Sequence, residues 1–119
     1  MTRLAAAAVL IAFVAPGAAR DVIEIHLRGR YYAEPATVQV TVAVEPDDEN
    51  RLLIIEADGE RFYRASELAL DGEHDTRLHS VTYRNLPAGH YVLRAEVRST
   101  GGIRGRATEE LVVTGIGGR

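Results

Sequence analysis

Serine and histidine, the side chains that most often carry catalysis, are few in this chain and do not form a catalytic set. There are three serines and four histidines among 119 residues. Ser80 follows His79, but neighbouring residues of a strand point to opposite faces, so these two side chains cannot exchange a proton. Ser66 and Ser99 lie in turn-like surroundings without the Gly-x-Ser-x-Gly elbow of a hydrolase. The sequence therefore predicts no catalytic residues and a protein that is not an enzyme.

One group of carboxylates has the composition of a metal-binding loop. Asp71, Glu73 and Asp75 supply several oxygen atoms from one short segment, as calcium prefers. The segment lacks the ligand spacing of an EF-hand, and turns also select Asp and Gly for conformational reasons. We therefore predict no metal and no cofactor, and keep these three residues as weak calcium candidates.

Composition excludes sulfur chemistry. The chain has no Cys, and its one Met is residue 1. Thiol catalysis and Cys-ligated zinc are thus impossible, and stability has to come from packing rather than from disulfides. The histidines share no ligand spacing; they are His26, His74, His79 and His90.

Two aromatic pairs are candidates for a binding surface. Tyr31 and Tyr32 follow the first predicted strand, and Phe62 and Tyr63 follow an Asp58-Gly59 pair. Neighbours on a strand face opposite ways, so one ring of each pair should be exposed and the other should pack in the core. Exposed rings could stack on sugars or anchor a peptide, whereas core packing with one ring covering an edge is the alternative.

Strands must position these residues, because short β-branched runs alternate with turn residues and no helical period follows residue 20. The segments expected to form strands are 21–28, 36–45, 52–55, 61–68, 77–84, 89–99 and 103–114. Asp58-Gly59 predicts a type I′ hairpin turn. The run 52–55 is apolar on both faces, which predicts a strand covered on two sides, whereas 65–68 could equally form one helical turn. The fold class is all-β, a single antiparallel β-sandwich of about seven strands.

The first nineteen residues have the layout of a secretory signal peptide. A basic start at Arg3 precedes twelve apolar residues, 4–15, and small residues follow, with cleavage expected after Ala19. A membrane span needs roughly 20 apolar residues, so we predict no stable span. The predicted domains are a signal peptide at 1–19, the sandwich at 20–114 and a flexible tail at 115–119.

Charge and predicted export together limit the class of partner. Beyond residue 19 the chain has 13 Arg against 17 Asp and Glu, a net charge near −4. An acidic exported domain is unsuited to a polyphosphate backbone, so we predict no nucleic-acid partner. The expected location is periplasmic or extracellular.

The stretch Leu86-Pro87-Ala88-Gly89-His90-Tyr91-Val92-Leu93 sharpens the fold prediction. It resembles the entry to the penultimate strand of immunoglobulin-like and fibronectin type III-like domains of bacterial extracellular proteins. The transthyretin-like sandwiches of carboxypeptidase regulatory domains share a similar turn. The resemblance implies an immunoglobulin-like sandwich in which Tyr91 is structural, its hydroxyl bonding back to the preceding connection as a tyrosine corner.

These observations lead to a functional expectation. The sequence predicts a small exported non-enzymatic binding or structural module whose partner is another envelope or extracellular protein. The alternative is a carbohydrate- or calcium-binding module that uses the aromatic pairs or the 71–75 loop. The oligomeric state is left open.

Overall fold

The computed structural model describes residues 22–115, which form an all-β sandwich. Its eight strands are β1 (Ile23–His26), β2 (Tyr31–Ala33), β3 (Ala36–Val44), β4 (Asn50–Gly59), β5 (Tyr63–Ala69), β6 (Leu78–Leu86), β7 (Gly89–Ser99) and β8 (Gly102–Thr114). A single 3₁₀ turn, Gly72–His74, lies between β5 and β6. The predicted signal peptide and residues 116–119 of the predicted tail lie outside the described residues.

The strands form two sheets. One has three strands in the order β1-β3-β6, and the other has five in the order β2-β8-β7-β4-β5. All pairings are antiparallel except that of β2 with β8, which is parallel. No helix among residues 22–115 is long and apolar enough to cross a bilayer.

The core lies between the sheets and follows from the alternation of apolar residues along each strand. On β3 every second residue from Ala36 to Val44 is buried, and on β7 the buried residues are Tyr91, Leu93, Ala95 and Val97. Residues of β1, β4, β6 and β8 belong to the same cluster. The prediction of a single sandwich is confirmed.

The number of strands differs from the prediction of about seven because β2 forms at the aromatic pair, where the sequence indicates a connection. Tyr31 pairs with Val112 of β8, and Ala33 pairs with Thr114. The segment before β2 crosses from the edge of the three-stranded sheet to the edge of the five-stranded sheet. A parallel pairing of residues about 80 positions apart has no local signal in the sequence.

The predicted turn at Asp58-Gly59 is wrong in position. Asp58 is still paired, with Tyr63, and the chain reverses over the next residues, where Gly59 N donates to Phe62 O at 2.8 Å. Glycine is needed at position 59 for space, since an added Cβ would lie 2.5 Å from Cε2 of Tyr91. Close packing against a ring, rather than turn geometry, explains this residue.

Two further predictions about strands are resolved. The segment 65–68 is part of β5 and not a helical turn. Leu53 and Ile55 of β4 are fully buried, whereas Leu52 and Ile54 are only half-buried, because the second sheet covers one face of β4. The prediction that this strand is covered on two sides is therefore wrong.

Two buried tyrosines join parts of the fold through their hydroxyl groups. The Tyr91 hydroxyl donates to Pro87 O at 2.5 Å, which is the geometry of a tyrosine corner. The Tyr83 hydroxyl on β6 donates to Ile55 O at 3.1 Å and lies 3.2 Å from Ser66 Oγ, so it links the two sheets. Burial raises the pKa of both hydroxyls, so both remain donors at neutral pH.

Removing the Tyr91 hydroxyl should destabilise the domain. We expect Tyr91→Phe to lower the free energy of unfolding by about 1–3 kcal/mol, because Pro87 O loses its donor. Urea unfolding measures this change. Tyr31→Phe is the matched control, since Tyr31 is exposed, and equal losses in the two variants would contradict a structural role for the Tyr91 hydroxyl.

A methyl group at position 59 tests the space requirement. We expect Gly59→Ala to destabilise the domain by about 1–3 kcal/mol, because the added Cβ would force the Tyr91 ring to move. Gly29→Ala is the control, since no atom lies within 4 Å of a Cβ there. Thermal unfolding of both variants would show the difference, and similar midpoints would refute the explanation.

Candidate functional site

A row of charged side chains lies on the outer face of the five-stranded sheet, which is the side turned away from the second sheet. Side chains of β4, β5, β7 and β8 line this face in register. Its central members are Ile54, Glu56, Asp58, Tyr63, Arg94, Glu96, Arg98 and Arg106. In the described part of the chain the second sheet packs on the opposite face, and the charged side chains of the outer face are partly or largely exposed.

One half of the outer face is a cluster around the Glu56 carboxylate. The Tyr63 hydroxyl donates to Glu56 Oε2 at 2.6 Å. Arg94 Nη1 lies 3.5 Å from Glu56 Oε1 and 3.1 Å from Asp58 Oδ2. The hydrogen bond to Glu56 raises the pKa of the Tyr63 hydroxyl, and the bonds to Asp58 and Glu56 raise that of Arg94. We call these four residues the Glu56 cluster.

The other half is centred on Glu96. Arg98 Nε lies 2.5 Å from Glu96 Oε2, and Arg106 Nε lies 3.4 Å from Glu96 Oε1. The hydrogen bond from Arg98, followed by the bond from Arg106, lowers the pKa of the Glu96 carboxyl. A depression of about 140 Å³ lies between this group and the Glu56 cluster.

A larger groove of about 330 Å³ lies at one end of the outer face. Tyr31 and His90 flank Val112, because each is the register partner of Val112 on a neighbouring strand. Val92 and Glu110 form the next row of the same surface. An apolar floor with a few polar groups at its rim is the usual composition of a small-ligand site. We call this feature the Tyr31 groove.

Arg30 holds a positive charge at the rim of the Tyr31 groove. Its Nη2 lies 2.6 Å from Glu109 Oε1, and its Nη1 donates to Glu110 O at 3.1 Å. Arg30 O in turn accepts a hydrogen bond from Val112 N at 2.8 Å. The guanidinium is thus held in place by side-chain and backbone contacts with β8.

The structure separates the four aromatic candidates. Tyr31 and Tyr63 are 79% and 55% exposed and lie at opposite edges of the outer face, on β2 and β5. Tyr32 packs against the core and donates to Gly29 O, and Phe62 meets the Tyr91 ring edge-on at 6.1 Å between centroids. A single binding surface built from all four rings is not formed, although Tyr31 and Tyr63 share one face.

The 71–75 loop does not form a metal site among its described side chains. Asp75 Oδ2 accepts a hydrogen bond from Asp71 N, which closes the loop on itself. In the described part of the chain, no group of three or more His, Asp or Glu side chains is placed to hold a metal ion.

Each serine of the described residues has a contact within the fold. Ser66 contacts Tyr83, Ser80 Oγ lies 3.0 Å from Thr41 Oγ1, and Ser99 Oγ accepts from Gly101 N.

Of the Glu56 cluster, only Tyr63 was a candidate from the sequence, whereas Glu56, Asp58 and Arg94 were not predicted. Alternation along β7 places Arg94 on the outer face, and the same reasoning applies to Glu56 on β4. The sequence does not give the register between strands, and Glu56 lies beside Arg94 only because β4 pairs with β7 in the observed register. A hairpin prediction centred two residues later would have brought Tyr63 opposite Asp58.

Comparison with known proteins finds likenesses only at the level of structure. No protein-family model and no curated protein sequence matches the chain. The structure is similar to the superoxide reductase (neelaredoxin) from Ignicoccus hospitalis, with a TM-score of 0.61 and 18% identity over 77% of this chain and 80% of that one. A variant of the same reductase gives 0.62 and 19%, over 85% and 86%. The sulfur carrier protein SoxY from Chlorobium limicola f thiosulfatophilum gives 0.56 and 21%, over 80% and 81%.

This finding corrects two expectations about function. The sequence predicts a non-enzymatic binding or structural module, with a carbohydrate- or calcium-binding module as the alternative. The matching sandwiches instead belong to an enzyme and to a sulfur carrier, so the prediction of a binding module and the prediction that the chain is not an enzyme are wrong. Both predictions were based on the absence of catalytic sequence motifs. Such motifs cannot reveal a site whose residues come from several strands. At 18–21% identity the likeness itself shows the fold.

The two arginines beside Glu96 predict how stability depends on pH. Because the pKa of Glu96 is lowered in the folded state, its stabilisation is complete above the ordinary value of 4.5 and is lost as pH falls through the folded-state value. We therefore expect Glu96→Gln to weaken the acid dependence of the unfolding free energy in urea. Glu67→Gln is the control. Glu67 on β5 and Glu96 on β7 are the two register partners of Ile54, so they lie on either side of the same residue. An unchanged acid dependence in Glu96→Gln would contradict the assignment.

Proposed function

We propose that this chain takes part in the turnover of superoxide, and that the Tyr31 groove holds this small anion. The observation that carries the proposal is the likeness to superoxide reductase over about four fifths of both chains. A shared fold is an argument by analogy, because one fold supports many activities. The choice of site therefore rests on the residues of this chain.

Composition supports chemistry of reactive oxygen. Cys and Met are side chains that oxidants attack readily. This chain has neither Cys nor Trp, and its one Met is residue 1. A domain with this composition would tolerate exposure to superoxide and its products. Thiol-bound sulfur, in contrast, has no attachment point here, which favours the oxygen chemistry of the reductase over the sulfur chemistry of the carrier.

The Tyr31 groove has the groups that protonation of superoxide requires. Reduction of superoxide to hydrogen peroxide consumes one electron and two protons. The His90 imidazole is the kind of side chain that acts as a general acid or base, and the Tyr31 hydroxyl is a second donor across Val112. The Arg30 guanidinium, which is ion-paired with Glu109, lies at the rim. We assign the proton-donating half of the reaction to this groove and the electron to a dissolved one-electron donor that is supplied from outside the chain.

We further infer that the sandwich is of the immunoglobulin-like type and that the chain is exported. The support for the fold type is the division into β1-β3-β6 and β2-β8-β7-β4-β5, with a tyrosine corner at the start of β7. The support for export is the signal-peptide layout of residues 1–19. Together they suggest a reactive-oxygen activity in the envelope or outside the cell.

Pulse radiolysis, which generates superoxide in solution and follows its loss, tests the proposed function. We expect the wild-type protein with a reductant to remove superoxide faster than buffer with the same reductant, and to yield one hydrogen peroxide per superoxide. Dismutation yields only half as much. We expect His90→Gln to lower the protein-dependent rate constant at least about tenfold, because it removes a positioned proton donor.

His26→Gln is the matched control for this experiment. His26 is also exposed but lies on β1 of the other sheet. We expect it to behave as the wild type. If the wild-type protein does not accelerate the loss of superoxide, the proposed function is wrong. If the wild type is active and His90→Gln is equally active, the activity lies outside the Tyr31 groove.

A further inference from the structure

We propose that Tyr63 is a redox-active side chain of this protein, which a one-electron oxidant converts to a neutral tyrosyl radical while Glu56 accepts the proton. The oxidant is a small oxygen- or sulfur-centred radical that reaches the outer face. This inference uses the Glu56 cluster and not the Tyr31 groove, so it stands independently of the proposed function.

The proposal rests first on what each tyrosine hydroxyl contacts. All five tyrosines lie within the described residues. Tyr32, Tyr83 and Tyr91 donate to backbone carbonyl oxygens, which are poor proton acceptors. Tyr63 is the one whose hydroxyl donates to a carboxylate, at 2.6 Å from Glu56 Oε2. A carboxylate is a base that can take the proton as the electron leaves the ring.

Access is the second observation. Tyr63 is 55% exposed at the edge strand β5, so a dissolved oxidant can approach its ring. Tyr83 and Tyr91 are 5% and 2% exposed and are shielded by the core. Tyr31 is more exposed than Tyr63, but no contact of its hydroxyl with a carboxylate is found among the described residues. Tyr63 thus combines an exposed ring with a bound base.

The surroundings hold Glu56 in position for this role. Arg94 lies on the side of Glu56 Oε1, which leaves Oε2 to the phenol. Arg94 is also paired with Asp58, so it keeps a partner when Glu56 becomes protonated. Arg94 is therefore a positioning residue for the carboxylate.

The step balances in charge and atoms. The oxidant gains one electron from the Tyr63 ring, and the phenolic O–H bond breaks. The proton forms a new O–H bond at Glu56 Oε2, which leaves a neutral radical beside a neutral carboxylic acid. The hydrogen bond and the negative charges of Glu56 and Asp58 raise the pKa of Tyr63, so the phenolate is disfavoured. They do not oppose the neutral radical, because no negative charge forms on the ring.

Few other side chains of this protein compete with Tyr63 for a one-electron oxidant. Cys and Met are oxidised readily, and the chain has no Cys or Trp and no Met after residue 1. Oxidising equivalents that reach the folded domain should therefore accumulate on tyrosine. Coupling of two Tyr63 radicals would link two copies through a dityrosine bond.

Flash photolysis with photo-oxidised ruthenium tris-bipyridine tests the proposal on the full chain at neutral pH. Electron paramagnetic resonance detects the radical, and peptide mass spectrometry locates the oxidised residue. We expect Tyr63→Phe to remove most of the radical signal. We expect the matched control Tyr31→Phe to keep it, although Tyr31 is the more exposed ring.

Glu56→Gln separates proton transfer from simple exposure. The amide can still accept the hydrogen bond but cannot take the proton. We expect Tyr63 oxidation to slow at least about tenfold in this variant, and we expect heavy water to slow the wild type. Circular dichroism of each variant verifies the fold. An unchanged rate in Glu56→Gln, or radical located mainly on Tyr31, would overturn the proposal. The added oxidant is not superoxide, so this result is independent of the superoxide assay.

Discussion

The packing of Tyr91 is the constraint on which most of the architecture depends. This side chain lies on β7, the middle strand of the five-stranded sheet, and its hydroxyl fixes the connection from β6 through Pro87 O. Its ring occupies the space that a side chain at Gly59 would need and contacts Phe62. One buried residue thus joins the β6–β7 connection to the β4–β5 hairpin. Because that hairpin sets the pairing of Asp58 with Tyr63, the geometry of the outer face depends on it as well.

In a two-layer sandwich only one face of each sheet packs against the other sheet. Here the outer face of the five-stranded sheet carries the Glu56 cluster and the Tyr31 groove. Residues far apart in sequence meet there because paired strands lie about 4.8 Å apart. Glu56 and Arg94 are separated by 38 positions, and they are direct register partners. The same arrangement places Tyr31 and His90 on either side of Val112. The core supplies rigidity, and the outer face is free to vary without cost to packing.

The correction of the functional expectation has a physical explanation. The Leu-Pro-x-Gly-x-Tyr turn reports how one strand enters a sandwich, because its residues are selected by the tyrosine corner. It carries no information about the exposed residues on the other side of the sheet. Sandwiches of the same shape include an enzyme and a sulfur carrier, so the turn motif was evidence for a fold and was not evidence for a binding module.

The sequence by itself determined which side chains face the core and which face outward, because alternation along a strand is local. The buried residues of β3 and β7 and the bounds of β7 follow from that pattern, whereas the structural role of Tyr91 was implied by the resemblance of its turn to immunoglobulin-like domains. Only the tertiary structure decided which strands are neighbours and in what register. The parallel pairing of β2, the true position of the turn after Gly59 and the contact of Tyr63 with Glu56 depend on such long-range pairing. Register is set by the whole core at once, which no short segment encodes.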